Sequence, residues 1–319
     1  LKLNMEREKG MKDMKKRSFK AVLLLFVLTT LTIALGGCSG DKKGDISSQI
    51  TIGIPQDLED SLDPHKMVTA GTREVLFNIF EGLVKVTSDG DFVPAVASSY
   101  EETEGGKVYT FTLRDNVKFH DGSTVTAEDV KFSLDKCADT SAGEPLVAAF
   151  SNIDSVNILD GKTVQVVLKE ADTEFLAYMT TAIIPASNAD PDTNPIGTGP
   201  YKFVSRSPQE NFVMERFDDY WGEPAYIKDV TFKICANADT IVMDLEGGSI
   251  DMFARVTSTQ AAELSDNFNV LEGTMNLVQA LYLNNAEAPF DNEKVRQALC
   301  YAIDPQEIMM MVSDGKGTE

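Results

Sequence analysis

The sequence predicts a mixed α/β protein built in at least two parts. Segments with period-two apolar alternation and segments with helical spacing are interspersed without a strict βαβ rhythm. No fixed-period repeat is visible. The chain has 319 residues, 43% of them hydrophobic and 25% charged. That composition is ordinary for a globular protein, and the length suffices for more than one core.

The first segment to explain is the N-terminal leader. Lys12, Lys15, Lys16, Arg17 and Lys20 precede the apolar run Ala21–Leu35, and Gly36, Gly37 and Cys38 follow it. A basic flank, a short apolar core and small residues describe a secretory signal over residues 1–37. The run is short for a helix that spans a bilayer. Leu35-Gly36-Gly37-Cys38 resembles the lipobox of bacterial lipoproteins. That resemblance implies cleavage before Cys38, lipidation of its thiol and attachment to the membrane. Residues 38–49, polar and rich in Gly and Ser, read as a flexible tether.

Ile50, Ile52 and Ile54 alternate with Thr51 and Gly53 and predict a strand that stops at Pro55. Val75, Leu76, Ile79 and Phe80 predict a helix over 72–80. Residues 108–114 place Tyr109, Phe111 and Leu113 on one strand face, and Asp121-Gly122 marks a turn. Thr126 to Asp129 resembles a capping box, opening a helix whose buried stripe is Val130, Leu134 and Cys137. Residues 162–168 read as a strand, and 172–180 as a short helix with Phe175, Leu176 and Met179 apolar. Residues 200–217 and 227–234 return to strand spacing. A helix is expected over 239–246, stopped by Gly247 and Gly248. Asp291 is placed to cap a last helix, with Val295, Leu299 and Ala302 as its buried line.

Charge and reactive residues narrow the function. There are 50 acidic and 29 basic residues, a net charge of -21. The leader alone holds eight of the basic ones, so the remainder is more acidic still. Such a surface repels phosphates and excludes nucleic acid as a partner. No C-x-x-C pair exists, and the two histidines, His65 and His120, are far apart. Neither a zinc ribbon nor a histidine metal cage is expected, and no cofactor is implied. Cys137, Cys235 and Cys300 read as small buried apolar residues. The sequence contains no G-x-S-x-G, H-E-x-x-H or P-loop motif, which disfavours a secreted hydrolase.

Several segments, in order, resemble one family, the solute-binding proteins of bacterial oligopeptide, dipeptide and nickel ABC importers (family 5). They are Ser61-Leu62-Asp63-Pro64-His65, Phe80-Glu81-Gly82-Leu83, Tyr109 to Arg114 running on to Phe119-His120-Asp121-Gly122, and Val125 to Val130. Gly197-Thr198-Gly199-Pro200-Tyr201, Asp219-Tyr220-Trp221-Gly222, Gly248 to Asp251 and Val295 to Asp304 complete the series. Each motif alone also has a structural explanation. Asp121-Gly122 is a turn, Thr126 a cap, Arg114 and Arg296 loop ties, Trp221 an edge packer and His120 a satisfied structural histidine.

The resemblance implies a two-lobed periplasmic-binding-protein-like α/β fold (type II, cluster C) with an incomplete second lobe. Domain I is expected over 50–81 and 182–269, with domain II inserted at 82–181. The second lobe is expected from residue 270 to 319, continuing in the family for about 200 residues more. The implied role is extracytoplasmic capture of a short peptide between the lobes. Delivery then goes to ABC permease and ATPase subunits, with Cys38 holding the protein to the membrane. A peptide would lie extended in the cleft, strand-like, with water-adaptable pockets for its side chains. Alignment on the D-P-H and F-E-G-L anchors turns residues 68–72 towards the cleft. Val68 and Ala70 then stand where peptide-binding relatives touch ligand backbone, and Leu146 is the candidate from domain II. Some relatives carry an acidic residue at the position of Val68. Nickel complexes, haem, oligosaccharides and a peptide pheromone are the alternative ligands on the same fold.

Overall fold

The computed structural model describes residues 48–313, apart from 60, 142, 144, 236, 238, 239, 265 and 274–279, together with 315 and 317. The leader, Cys38 and the tether up to residue 47 lie outside the described residues, as does the expected helix start at Asp239.

The alternating isoleucines form β1 (Gln49–Ile54). It pairs in parallel on both sides, with β10 (Asp229–Ile234) and the short β11 (Met252–Phe253). Antiparallel β9 (Asn211–Arg216) and β8 (Tyr201–Ser207) extend the sheet in the order β11-β1-β10-β9-β8. Ile52 stands opposite Phe232, and Phe232 opposite Phe212. This face packs on Leu58, Leu62, Val75, Leu76 and Ile79. Parallel-paired strands are commonly covered on both faces. A Cβ on Gly53 would lie 2.6 Å from Phe253 and 2.9 Å from Ile250, so glycine is what lets the second layer close on β1.

A second, antiparallel sheet has the order β4 (Ala97–Thr103), β5 (Val108–Leu113), β7 (Thr163–Leu168) and β6 (Ile153–Asp160). Tyr109 and Phe111 of β5 oppose Val166 and Val164 of β7, and all four are fully buried. Helix α2 (Ala127–Ala138) buries Val130 and Leu134 in the same cluster. Its capping box forms as expected: Thr126 Oγ1 accepts from Asp129 N–H, and the Asp129 carboxylate accepts from Thr126 N–H at 3.0 Å. A hairpin of β2 (Val84–Val86) and β3 (Phe92–Pro94) precedes this sheet. The apolar residues fall into separate clusters. One draws on residues between Leu83 and Ile183, and another on Leu58–Phe80 together with Ala182–Phe232.

Four expectations need correction. The helix expected over 72–80 is α1 (Ala70–Leu76), after which turns carry the chain to Phe80, whose N–H reaches the Leu76 carbonyl at 3.2 Å. Residues Phe175–Thr180 form a 3-10 turn, with i to i+3 bonds such as Thr181 N–H to the Tyr178 carbonyl. Six residues without a side-chain cap favour the tighter winding, and Phe175 is held by Tyr109 and Phe150. After the short helices α3 (Ile241–Glu246) and α4 (Ser258–Glu263), the last predicted helix, α5 (Glu293–Ala302), is capped by Asn292, not Asp291: the Asn292 side chain accepts from Lys294 N–H. Its expected buried line is absent. Val295 and Leu299 are half-buried, while Ala302 and Cys300 are exposed. A periodic apolar line becomes buried only where another element covers it, and no described element does so here. The same is true of α6 (Pro305–Ser313), which buries no residue. Cys137 is half-buried and Cys235 buried.

The motif glycines sit at a seam. A Cβ on Gly197 would lie 2.2 Å from the Ile79 carbonyl oxygen, and one on Gly199 would lie 2.5 Å from that of Asn78. Gly199 N–H donates to the Ile79 carbonyl at 2.8 Å. His120 clamps the same loop. Its Nδ1 accepts from Gly197 N–H at 3.2 Å, which leaves Nε2–H to donate to the Gly199 carbonyl at 3.0 Å. Glu81 accepts from the Tyr220 hydroxyl and from Trp221 Nε1–H, both at 2.6 Å, and Arg114 stacks 4.5 Å from the Trp221 ring centre. Residues far apart in sequence thus tie α1's exit, the G-T-G loop and the D-Y-W-G turn into one joint.

Candidate functional site

A cavity of about 410 Å³ opens beside this joint. Its first wall is the loop before α1, with Pro64, His65 and Met67, followed by Arg73, Leu76 and Phe77. Residues 73 and 77 are four apart on a helical path, so their side chains share one face. The opposite wall is the end of α2 with Lys136 and Cys137, the following loop with Asp139 and Pro145–Val147, and the 3-10 turn with Tyr178. Phe77 is 67% exposed, Leu146 53% and Tyr178 37%. Large apolar side chains left open to solvent at a concave surface mark a place where something else covers them.

Charged groups bracket this surface. Asp63 is wholly buried, and its carboxylate accepts from Lys136 Nζ at 2.6 Å and from His65 N–H at 3.0 Å. Asp139 is fixed by Ser141, whose N–H and hydroxyl donate to it at 2.8 and 2.9 Å, and these bonds hold its pKa below the usual carboxylate range. Arg73 donates from Nη2 to the Met67 carbonyl at 3.0 Å. At the N-terminus of α1 the Glu59 carboxylate accepts from Val68 and Thr69 N–H, the latter at 2.8 Å.

Burial and hydrogen bonding set the protonation of the titratable groups here. Burial holds the His65 pKa down, so the ring is neutral, with Nε2–H donating to the Ala182 carbonyl at 2.8 Å. Burial pushes the Cys137 thiol up to about 11, and its partner is the Thr181 hydroxyl, not an imidazole. A thiol protonated at neutral pH is a poor nucleophile. Among the described residues no cluster of three or more His, Cys, Asp or Glu is placed to hold a metal ion.

Of the three residues singled out from sequence, Leu146 lines the cavity. Val68 and Ala70 are exposed and lie just outside the lining, which takes Met67 and Arg73 on either side of them. Sequence reasoning missed Arg73, Phe77, Lys136 and Tyr178. Arg73 and Phe77 had a legible signal, a cation and an aromatic at i and i+4 off the buried stripe of the helix. Lys136 and Tyr178 had none, since only the tertiary fold brings their segments together. A second hollow of about 440 Å³ lies over Trp221, Arg114 and Lys162. Its charged groups are already engaged: Arg114 with the Ala95 carbonyl and Lys162 with Asp115.

The family model for bacterial extracellular solute-binding proteins, family 5 Middle, matches residues 91–319. The chain belongs to this family. This family 5 chain is 29% identical over 333 residues to the oligopeptide-binding protein AppA of Bacillus subtilis, covering 95% of this chain and 60% of that protein. It is 29% identical over 273 residues to the glutathione-binding protein GsiB of Pectobacterium atrosepticum, covering 81% and 52%. NikZ of Campylobacter jejuni, solved with Ni(L-His), superposes with a TM-score of 0.72 at 25% identity, over 83% of this chain and 55% of that one. AppA of Bacillus subtilis, solved with a nonapeptide, gives 0.70 at 26% identity, over 85% and 56%. The family 5 chain therefore has the type II periplasmic-binding-protein fold. It spans between about half and three-fifths of these relatives' length.

Proposed function

We propose that the protein captures short peptides in a cleft between two lobes and hands them to the permease of an ATP-driven importer. The observation that carries this reading is the cavity between α1 and the end of α2, the first-lobe side of that cleft. Its wall joins exposed Phe77, Leu146 and Tyr178 to the cations Arg73 and Lys136. Apolar surface accepts side chains, and a few fixed polar groups hold a backbone or terminus. The unactivated thiol and the structural histidines supply no bond-breaking machinery.

Relatives support the ligand class. AppA was solved with a nonapeptide, and DppA of Helicobacter pylori, 25% identical, with the peptide STSA. In this reading domain I comprises 50–81 and 182–269, domain II comprises 82–181, and the second lobe begins near 270. Val68 and Ala70 touch ligand backbone at the cavity rim. Because Glu59 already occupies the Val68 N–H, the contact there is to the carbonyl. A ligand that bridges both lobes favours the closed form, which is the form presented to the permease. Cys38 carries the lipid that holds the protein on the outer face of the membrane.

A thermal-shift panel on the full-length protein tests the ligand class. Di- to pentapeptides raise the melting temperature in a concentration-dependent manner, while nickel-histidine and cello-oligosaccharides do not. The reverse pattern would replace peptide by one of those ligands. Labelled palmitate is incorporated into the wild type and not into Cys38→Ala. Equal labelling of the two contradicts the anchor.

A further inference from the structure

The arginines of this protein point to a more specific role for one of them, and the argument rests on the peptide-binding reading above. Arg206, Arg216 and Arg255 are neutralised by Asp57, Asp218 and Glu74. Arg114 lies on the Trp221 ring and donates to the Ala95 carbonyl, and Arg296 closes the loop carbonyls of Phe290 and Asp291. Arg73, like Arg114 and Arg296, has no carboxylate partner among the described residues, but it differs from both in lining the cavity beside Phe77 and Leu146, and its one hydrogen bond there is to the Met67 carbonyl. That bond fixes the guanidinium at the cavity wall and leaves further N–H donors of the fork free. A shortage of carboxylates is not the cause, since acidic residues outnumber basic ones 50 to 29.

The other charges lining the cavity are engaged, Lys136 by Asp63 and Asp139 by Ser141. Phe77 stands one turn from Arg73 on the same face, and Leu146 is on the opposite wall. The geometry points to Arg73 as the anchor of a ligand carboxylate, with the apolar group next to that carboxylate lodged against Phe77 and Leu146. A guanidinium fork matches a carboxylate in a bidentate way, and an apolar group of the ligand covering Phe77 would screen the pair from water and strengthen it. The ligand class is a short peptide whose carboxylate, at its C-terminus or on an acidic side chain, adjoins an apolar residue.

Calorimetric titration of the full-length protein with Ala-Ala-Leu and with its C-terminal amide tests this. The wild type binds the amide about tenfold or more weakly than the acid. Arg73→Met, a change at an exposed position, binds the acid as weakly as the amide and no longer distinguishes them. If Ala-Glu-Leu amide regains affinity in the wild type and loses it in Arg73→Met, the carboxylate recognised is a side-chain one and the anchor stands. Equal binding of acid and amide by the wild type, with no stronger binding of Ala-Glu-Leu amide and with all three lost in Leu146→Trp, overturns the anchor and leaves the cavity as the peptide site. Full acid preference retained by Arg73→Met also overturns the anchor. Failure of the wild type to bind any of these peptides, or unchanged binding in Leu146→Trp, overturns the peptide-cavity reading together with it.

Discussion

Asp63 and Lys136 meet at 2.6 Å beside the cavity, one from the loop before α1 and the other from the last turn of α2. The Asp63 side chain is 1% exposed and that of Lys136 is 28% exposed. The pair couples the D-P-H segment to the helix that carries the opposite cavity wall. Lys136→Met leaves the buried carboxylate with the His65 N–H and with Lys66, 3.9 Å away. Removing one partner of a buried pair is expected to cost about 2–4 kcal/mol, at the lower end because Lys136 is partly solvated. Urea denaturation measures it, and the double variant Asp63→Asn with Lys136→Met should recover part of the loss. An unaltered midpoint in Lys136→Met would show that the pair is not a structural tie.

His120 makes stability depend on pH. Burial holds its pKa at about 4 in the folded chain, against an ordinary value near 6.5. The folded state favours the neutral ring, so this contribution is complete above about pH 6.5 and declines as pH falls towards 4. The full span is worth about 3 kcal/mol. Denaturation midpoints at pH 7 and pH 4.5 should differ more in the wild type than in His120→Gln. Parallel pH profiles would place the His120 ring in solvent.

The G-T-G loop distinguishes a packing glycine from a permissive one. A Cβ on Gly197 meets the Ile79 carbonyl oxygen at 2.2 Å, whereas one on Gly161 meets nothing within 4 Å. Gly197→Ala is expected to destabilise by about 1–3 kcal/mol, since the obstructing atom is backbone and cannot rotate away. Gly161→Ala should lie within about 0.5 kcal/mol of the wild type. Thermal melts of the two variants decide it.

Trp221 is the single tryptophan, and its ring is held between Arg114 and the Glu81 carboxylate. Burial raises the Glu81 pKa, and the bonds from Tyr220 and Trp221 oppose that rise. Tyr220→Phe removes one of these donors from a buried carboxylate and should cost about 1–3 kcal/mol. Tryptophan emission reports the joint directly. It should shift in Tyr220→Phe under native conditions and stay put in a surface variant such as Lys169→Ala, at the end of the sheet opposite Arg114.

Much of the architecture was legible in the chain because local signals and tertiary burial agree there. Tyr109, Phe111, Val164 and Val166 alternate in sequence and are buried in the structure, and Thr126 caps α2 as its spacing foretells. The pattern misled at α5, where Val295, Leu299 and Ala302 repeat correctly but no described element covers them. Periodicity states which face is apolar and not whether a partner is present. The cavity was only partly legible. Leu146 was found by position after Pro145, but Lys136 and Tyr178 converge on it through the docking of the α2 end against the 3-10 turn. Likewise the G-T-G motif entered the sequence reading only as part of the resemblance, while the use of its glycines is close approach to the backbone of Asn78 and Ile79.

Noncovalent capture in the cavity between Phe77 and Leu146 is tested most directly by what the purified protein carries. Full-length wild type and Leu146→Trp are incubated with a mixture of short peptides and washed, and the retained material is released by acid and weighed by mass spectrometry. The wild type should yield intact peptides, close to one per molecule, and Leu146→Trp almost none. Shortened peptides, or equal retention by both proteins, would contradict the account.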